Sequence, residues 1–149
     1  MKEKNNVKQV LVIRRDLNMR RGKQIAQGSH ASMAVLLDLM KKECLTCTIE
    51  DSEATIVKFL GEKRTLKIVK DTPLDVWLNG MFTKICVSCE NEDELLKLHE
   101  IAKEKNIPTS LITDAGLTEF KGVPTNTCIA IGPYWSEEIN EITGNLKLM

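Results

Sequence analysis

The sequence of 149 residues has no long hydrophobic run. No stretch approaches the roughly 20 apolar residues of a membrane-spanning helix, so we expect no membrane association. Near the N-terminus, the apolar run VLVI is too short for the core of a secretory signal peptide. Internal repeats, linkers and low-complexity segments are also lacking. We therefore expect a single soluble, cytoplasmic domain over residues 1–149.

The sequence also lacks an excess of charge of one sign, since 21 Lys and Arg balance 21 Asp and Glu. Attraction of the whole molecule to nucleic acid is therefore not implied. The charges are unevenly placed, however. Residues 1–30 hold eight basic side chains against two acidic ones, and residues 90–104 carry six acidic side chains. This pattern fits either two solvated faces or an anion site near Arg20–Lys23.

Five cysteines are present, and four of them form the CxxC pairs Cys44–Cys47 and Cys86–Cys89. Two such pairs can hold zinc, which would indicate a zinc-ribbon-like interaction protein. The stretch FTKICVSCEN, however, predicts a β-strand, in which positions i and i+3 point to opposite faces roughly 10 Å apart. We therefore expect buried free thiols and no metal, and we keep the zinc site as an alternative.

Apolar periodicity and turn residues predict alternating strands and helices. The predicted helices cover residues 23–42, 72–80, 91–106 and 136–144. The predicted strands cover residues 8–16, 83–89, 108–114 and 126–133, the last halted by Gly132–Pro133. This order favours an α/β sandwich with a mixed sheet and helices on both faces.

The first predicted helix and the segment after it carry further expectations. The helix should bury an apolar face that includes Met33 and the leucines. Residues 43–53 are polar and predict a loop. The runs TIVKFL and TLKIVK flank GEKR, which predicts a hairpin that turns at Gly61.

Ligands in α/β sheets favour the carboxyl ends of strands, and two such ends carry polar motifs. The first is RRDLNMRRGK, which is not a P-loop because Leu17 and Gln24 stand where that motif needs Gly and Ser or Thr. It nevertheless places Lys23 at a helix N-terminus, where the dipole disfavours a cation unless an anion binds. Gln27 and His30 continue the same helical stripe.

The second strand end carries DAGLT, which begins at Asp114. Small residues there let a ligand or another backbone approach, although DAG is also an ordinary turn. The first motif has ordinary explanations too. Lys23 fits a surface lysine, and His30 fits a buried histidine that is hydrogen-bonded to a neighbour. Taken singly, none of these features specifies a function.

Three strings together carry a family resemblance: VLVIRRDLNMRRGKQIAQGSHASM, IPTSLITDAGLTEF and PTNTCIAIGPYWSEEINEITGNLKL. They resemble the second-type peptidyl-tRNA hydrolases of archaea and eukaryotes. The resemblance covers residues 8–40 and 82–149, whereas about 43–81 match poorly and look partly like an insert. It implies a mixed four-stranded sheet, a homodimer, and metal-independent hydrolysis of the ester between peptide and tRNA, with no cofactor.

The resemblance also implies which residues form the site. Its important positions match Lys23, Gln27, His30, Asp114, Thr118 and Thr127, and, with less weight, Thr125. From their positive charge, we also expect Arg14, Arg15, Arg20 and Arg21 to contact tRNA phosphates. Such contacts carry no sequence information, which suits an enzyme that accepts many tRNAs. Leu117 stands where the family often has a basic residue, which removes one expected tRNA contact.

Two other classes of protein compete with this interpretation. A non-catalytic tRNA- or RNA-binding module on the same fold would bind tRNA without turnover. A protein–protein adaptor would use the 43–81 insert. Neither explains why Lys23, Asp114 and Thr118 occur together.

Overall fold

The computed structural model describes residues 6–149, apart from the side chain of Asp51. Its helices are α1 (Arg21–Leu39), α2 (Pro73–Asn79), α3 (Glu92–Glu104) and α4 (Ser136–Thr143). Its strands are β1 (Val7–Arg14), β2 (Lys41–Asp51), β3 (Ala54–Thr65), β4 (Lys84–Cys89), β5 (Thr109–Asp114), β6 (Thr125–Trp135) and β7 (Lys147–Leu148). Among these helices, none is long and apolar enough to cross a membrane.

The central sheet is mixed and has the strand order β5-β6-β1-β4-β7. Strands β1 and β4 run parallel, and the other neighbours are antiparallel. The predicted α/β class is confirmed. The predicted count of four strands is wrong by one, because the short strand β7 pairs with the free edge of β4 near the C-terminus.

Helices cover the sheet on both faces, and each face has its own apolar cluster. One cluster joins β1, β4 and β6 to α3 and α4, and it includes Leu95 and Ile139. The other joins the sheet to α1 through Ala31 and Val35. Cys89 belongs to the first cluster and Cys86 packs against the second, so the two thiols point to opposite faces of β4. Cys86 and Cys89 therefore cannot bind the same metal ion.

Capping residues fix the N-terminal boundaries of α2 and α3 as predicted. Thr72 caps α2 by accepting a hydrogen bond from the Asp75 N–H, Pro73 is the first helical residue, and Gly80 ends the helix. Asn91 caps α3 in the same way. These side chains satisfy backbone donors that a helix leaves unpaired in its first turn.

The segment after α1 differs from the prediction. The helix predicted to reach residue 42 ends at Leu39. Most of the loop predicted over residues 43–53 is instead part of β2, which pairs with β3 along its whole length. The chain turns at residues 52–53, because this register sets the β-branched pairs Ile49–Ile56 and Thr48–Val57 opposite each other. Gly61 therefore lies inside β3 next to a register shift, and not in a turn.

Two further predictions need correction. Gly132–Pro133 does not halt β6, because both residues lie where the pairing with β1 is irregular and the proline needs no ladder N–H. The buried face of α1 is also not the predicted one. It consists of Gln27, Gly28, Ala31 and Val35, whereas Met33 is 55% exposed. Small residues let α1 approach the sheet closely, since a Cβ at Gly28 would lie 3.4 Å from Leu11 Cδ1.

Candidate active site

The centre of the candidate site is an ion pair between α1 and the end of β5. Lys23 Nζ lies 2.7 Å from Asp114 Oδ1, and 3.2 Å from the Thr118 hydroxyl. Only 13% of the Lys23 side chain and 15% of the Asp114 side chain are exposed. Two motifs 91 residues apart in sequence thus meet in a mostly buried charge pair, where salt screens the interaction less than at an open surface.

A buried amide and hydroxyl extend this pair into the core. Gln27 lies one turn after Lys23 and donates from Nε2 to Asp114 Oδ1 at 3.1 Å. The Thr127 hydroxyl of β6 donates to Gln27 Oε1 at 2.5 Å. Both Gln27 and Thr127 are almost completely buried. The hydroxyl therefore fixes the orientation of the amide, which in turn aims its N–H at the carboxylate.

The DAG turn holds the second oxygen of the carboxylate. The Gly116 N–H donates to Asp114 Oδ2 at 2.9 Å, and Gly116 has a positive φ of 79°. A Cβ at this position would lie 2.3 Å from the carbonyl oxygen of Val123. The predicted close approach of another backbone at this glycine is therefore confirmed.

Hydrogen bonds to Asp114 determine its charge state. The Lys23 hydrogen bond is the largest of several effects that hold the pKa of the Asp114 carboxyl below its ordinary value of 3.8, and the Gly116 N–H adds to it. The carboxylate is therefore ionised near neutral pH and is a weak base. Such a group suits orienting a water and a cation better than removing a proton, because general bases work best with a pKa near the operating pH.

Comparison with known proteins identifies the family of this chain. The family model described as Peptidyl-tRNA hydrolase PTH2 matches residues 7–149. A peptidyl-tRNA hydrolase of Methanopyrus kandleri is 37% identical over 142 residues, which are 95% of this chain and 97% of the relative. The chain belongs to the peptidyl-tRNA hydrolase PTH2 family. A peptidyl-tRNA hydrolase of Methanocaldococcus jannaschii is 34% identical over 143 residues, with 96% of this chain and all of the relative covered.

The resemblance seen in the sequence is thus confirmed. Of the six residues that it implied for the site, the structure joins five in one hydrogen-bonded network: Lys23, Gln27, Asp114, Thr118 and Thr127. His30 is exposed, and no described residue hydrogen-bonds to its side chain. Thr125 donates to the Val123 carbonyl oxygen and lies outside the network. The role of each residue in the PTH2 reaction stays a prediction.

The four arginines expected to contact tRNA differ in their surroundings. Arg14 is buried, and its guanidinium donates to both carboxylate oxygens of Asp16 and to the Asn126 carbonyl. Arg15 is half exposed beside Glu90. Arg20 is 79% exposed beside Glu119, and Arg21 is exposed at the first position of α1. Arg20 and Arg21 therefore present the most accessible charge next to Lys23.

Two residues at the site were not singled out from the sequence. Glu119 binds Arg20 at 2.8 Å, which ties the loop after the DAG turn to the start of α1. The Phe120 ring lies 5.7 Å from Lys23 Nζ, within the range of a cation–π contact. Both directly follow the DAGLT motif, so their closeness to that motif was the available signal.

The Cys128 thiol borders the network, because its Sγ donates to the backbone carbonyl oxygen of Gln27 at 3.2 Å. The expected burial of the thiols holds for Cys89 and Cys128, whereas Cys44 is exposed. Burial raises the pKa of the Cys128 thiol to about 12 and that of Cys89 to about 11, so both are protonated near neutral pH. No cluster of three or more His, Cys, Asp or Glu side chains that could hold a metal occurs among residues 6–149, Asp51 aside. The expectation that the reaction needs no metal stays a prediction.

Proposed function

We propose that this chain cleaves the ester of peptidyl-tRNA at the Lys23–Asp114 pair. The observation that carries the proposal is the convergence of a mostly buried ammonium, a carboxylate and three hydrogen-bonding side chains at the C-terminal end of β5. Hydrolysis of peptidyl-tRNA is the activity of the family. The proposal adds the residues that perform it, within one domain that works in the cytoplasm, where ribosomes make such substrates.

Ester hydrolysis needs an aligned water and a stabilised oxyanion. Lys23 Nζ supplies a positive charge, and a mostly buried ammonium stabilises a developing negative charge more strongly than one in open water. The Thr118 hydroxyl lies 3.2 Å from that nitrogen and can orient the ester carbonyl or the water. Asp114 orients the ammonium and accepts a hydrogen bond from the attacking water through its remaining lone pair. As the water oxygen bonds to the carbonyl carbon, the ester C–O bond breaks and the proton of the water passes to the leaving ribose oxygen of the tRNA.

Gln27 and Thr127 act through Asp114, so they are positioning residues. Their hydrogen bonds fix the Asp114 carboxylate relative to Lys23, so the ester meets a preorganised charge pair. Arg20 and Arg21 lie beside the site and suit contacts with tRNA phosphates, which hold the substrate without reading its sequence.

The proposal includes a homodimer, as the family resemblance implies. Exposed apolar side chains support it, and several of them line an open groove of about 570 Å³ between α1 and the β4 edge of the sheet. Ile25 and Met33 of α1, and Met149 at the C-terminus, border this groove and are each more than half exposed. Sedimentation velocity of the purified chain measures its oligomeric state directly.

The deciding experiment measures release of free tRNA from an N-blocked aminoacyl-tRNA with a chelator present. Wild type should turn over, whereas Lys23→Ala and Asp114→Asn should each lose at least about 100-fold in kcat, the size of a missing electrostatic contact to the transition state. Lys103→Gln is a matched control that removes an exposed charge on α3, outside the network and outside the expected tRNA contacts. Loss of wild-type turnover with chelator would contradict the metal-free mechanism.

A non-catalytic RNA-binding module is the competing function. It predicts that wild type retains tRNA on a filter and releases none of the peptide. Turnover by wild type together with undiminished tRNA binding by Asp114→Asn would exclude this alternative, because it separates chemistry from binding.

A further inference from the structure

The hairpin β2–β3 forms a separate two-stranded sheet, which we call the arm. Its strands pair with each other and make few contacts with the rest of the described chain. Six large apolar side chains of the arm are between 46% and 64% exposed: Leu45, Ile49, Ile56, Val57, Phe59 and Leu60. An isolated two-stranded hairpin is marginally stable in water, whereas three or more strands with an apolar face are stable. The arm therefore lacks a stabilising neighbour among the residues that the structure describes.

The two edges of the arm are not equivalent. The β3 edge is interrupted, because its register shifts near Leu60 and Gly61 has a φ of 147°. It also carries Lys58 in its middle, and bulges and lysines are the usual devices that prevent edge pairing. The β2 edge has a regular register between Thr46 and the turn, and its residues 44–49 (CLTCTI) contain no charge, glycine or proline. The open edge is thus β2.

We propose that β2 pairs antiparallel with β2 of a second copy of this chain, so that two arms form one four-stranded sheet. The sequence of β2 is complementary to itself in this direction, since KKECLTCTIED begins with two lysines and ends with two acidic residues. With Thr46 on the two-fold axis, Lys42 lies opposite Glu50 of the second copy. Both copies use the same surface, so the contact is isologous. Assembly stops at two copies, because the outer β3 edges are protected against further strand pairing.

Charge also favours a second copy over RNA as the occupant. Strand β2 carries two lysines and three acidic residues, so it offers no net attraction to a polyphosphate. Within the arm, Lys42 lies opposite Arg64, and Glu50 lies opposite Thr55. Neither charge has an oppositely charged cross-strand partner in its own chain, and the second copy supplies one for each.

This inference rests on the homodimer proposed above and places its contact on the arm, as the alternative to a contact through the groove between α1 and β4. The test uses the full chain with the single substitutions Lys42→Glu and Glu50→Lys, and sedimentation velocity gives the dissociation constant. Each variant alone should weaken the dimer by about tenfold, because two symmetric ion pairs become repulsive. An equimolar mixture of the two variants should recover wild-type affinity, because each negative position then meets a positive one.

Lys58→Glu on the β3 edge is the matched control and should leave the dissociation constant unchanged. Circular dichroism checks folding, and Lys42→Glu should not harm the arm itself since it places a carboxylate opposite Arg64. A monomeric wild type would overturn both the homodimer and the arm contact. A wild-type dimer that is insensitive to both substitutions would overturn the arm contact alone.

Parallel assays of tRNA release separate this inference from the proposed catalytic function. The arm variants should hydrolyse N-blocked aminoacyl-tRNA at the wild-type rate per chain, because the arm lies outside the Lys23–Asp114 network. If the variants raised KM for tRNA while the dissociation constant of the dimer stayed unchanged, the arm would contact RNA and not a second chain. This result would overturn the proposal.

Discussion

At the scale of single residues, the site is an example of one carboxylate held by several donors. Asp114 accepts from Lys23, Gln27 and the Gly116 N–H, which use three of its lone-pair positions. The sequence could predict which residue types belong to the site, because the motif strings carry them. It could not predict that Gln27 is buried and that Thr127 fixes its amide, since this depends on how closely α1 approaches β6.

The first residue-scale prediction concerns pH. The Lys23 hydrogen bond keeps the pKa of Asp114 below 3.8, so the carboxylate is lost only as the pH falls through that lowered value. The Asp114 contribution to kcat/KM should therefore be constant from about pH 5 to pH 8. A pH profile of kcat/KM measures this. An acid limb near pH 6, present in wild type and absent from the residual activity of Asp114→Asn, would contradict it.

The second residue-scale prediction concerns Thr127. Thr127→Val keeps the shape but leaves Gln27 Oε1 buried without its donor, which should lower the free energy of unfolding by about 1–3 kcal/mol. The amide also loses its fixed orientation, so kcat should fall while KM for tRNA changes little. Thr127→Ser retains the hydroxyl and should restore both properties. Urea unfolding and single-turnover tRNA release test this, and equal losses in Val and Ser variants would contradict the positioning role.

At the scale of elements, regular segments were predictable and the arm was not. Caps and period-3.6 patterns predicted α2, α3 and α4, because Thr72, Asn91 and Gly144 act locally. The turn of the arm was predicted at Gly61, because GEKR contains a glycine between apolar runs. The observed strand pairing instead places the turn at residues 52–53. Pairing between strands is a non-local property that a propensity pattern does not contain.

The same limit explains the wrong face of α1. An apolar pattern predicts that Met33 and Ile25 are buried, but both are more than half exposed. Gly28 and Ala31 face the sheet because only small side chains permit the short distance that brings Lys23 and Gln27 to Asp114. In this helix, the face that carries the site residues is therefore buried, and larger apolar side chains on the opposite face are exposed.

The element-scale prediction concerns the DAG turn. Gly116→Ala places a Cβ against the Val123 backbone, so the turn must shift and the N–H that holds Asp114 Oδ2 moves with it. The activity should fall by at least about tenfold. Gly122→Ala is the matched control, because its φ of 76° imposes similar backbone strain and no atom lies within 4 Å of the added Cβ. Release assays on both variants separate the two effects, and equal losses would show that strain alone is responsible.

At the scale of the whole molecule, the net charge is zero, but positive and negative side chains are concentrated in different regions of the surface. The cationic side chains near the start of α1 lie by the candidate site, whereas the acidic first turn of α3 lies in the helical layer on the other face of the sheet. A neutral protein can thus present a local positive surface to a polyanion. Where a charge lies, and whether it is already paired, decides its contribution more than the formal total does.

The whole-molecule prediction follows from this division and concerns salt. Substrate affinity should fall as salt rises, and Arg21→Gln should reduce the slope of log KM against log salt by about one for each phosphate contact removed. Arg14→Gln should instead lower stability, because Arg14 is buried and holds Asp16 and the Asn126 carbonyl. Lys103→Gln is the control, since this exposed charge lies on α3, on the opposite face of the sheet. If Lys103→Gln changed the slope as much as Arg21→Gln, the tRNA would not approach along the start of α1.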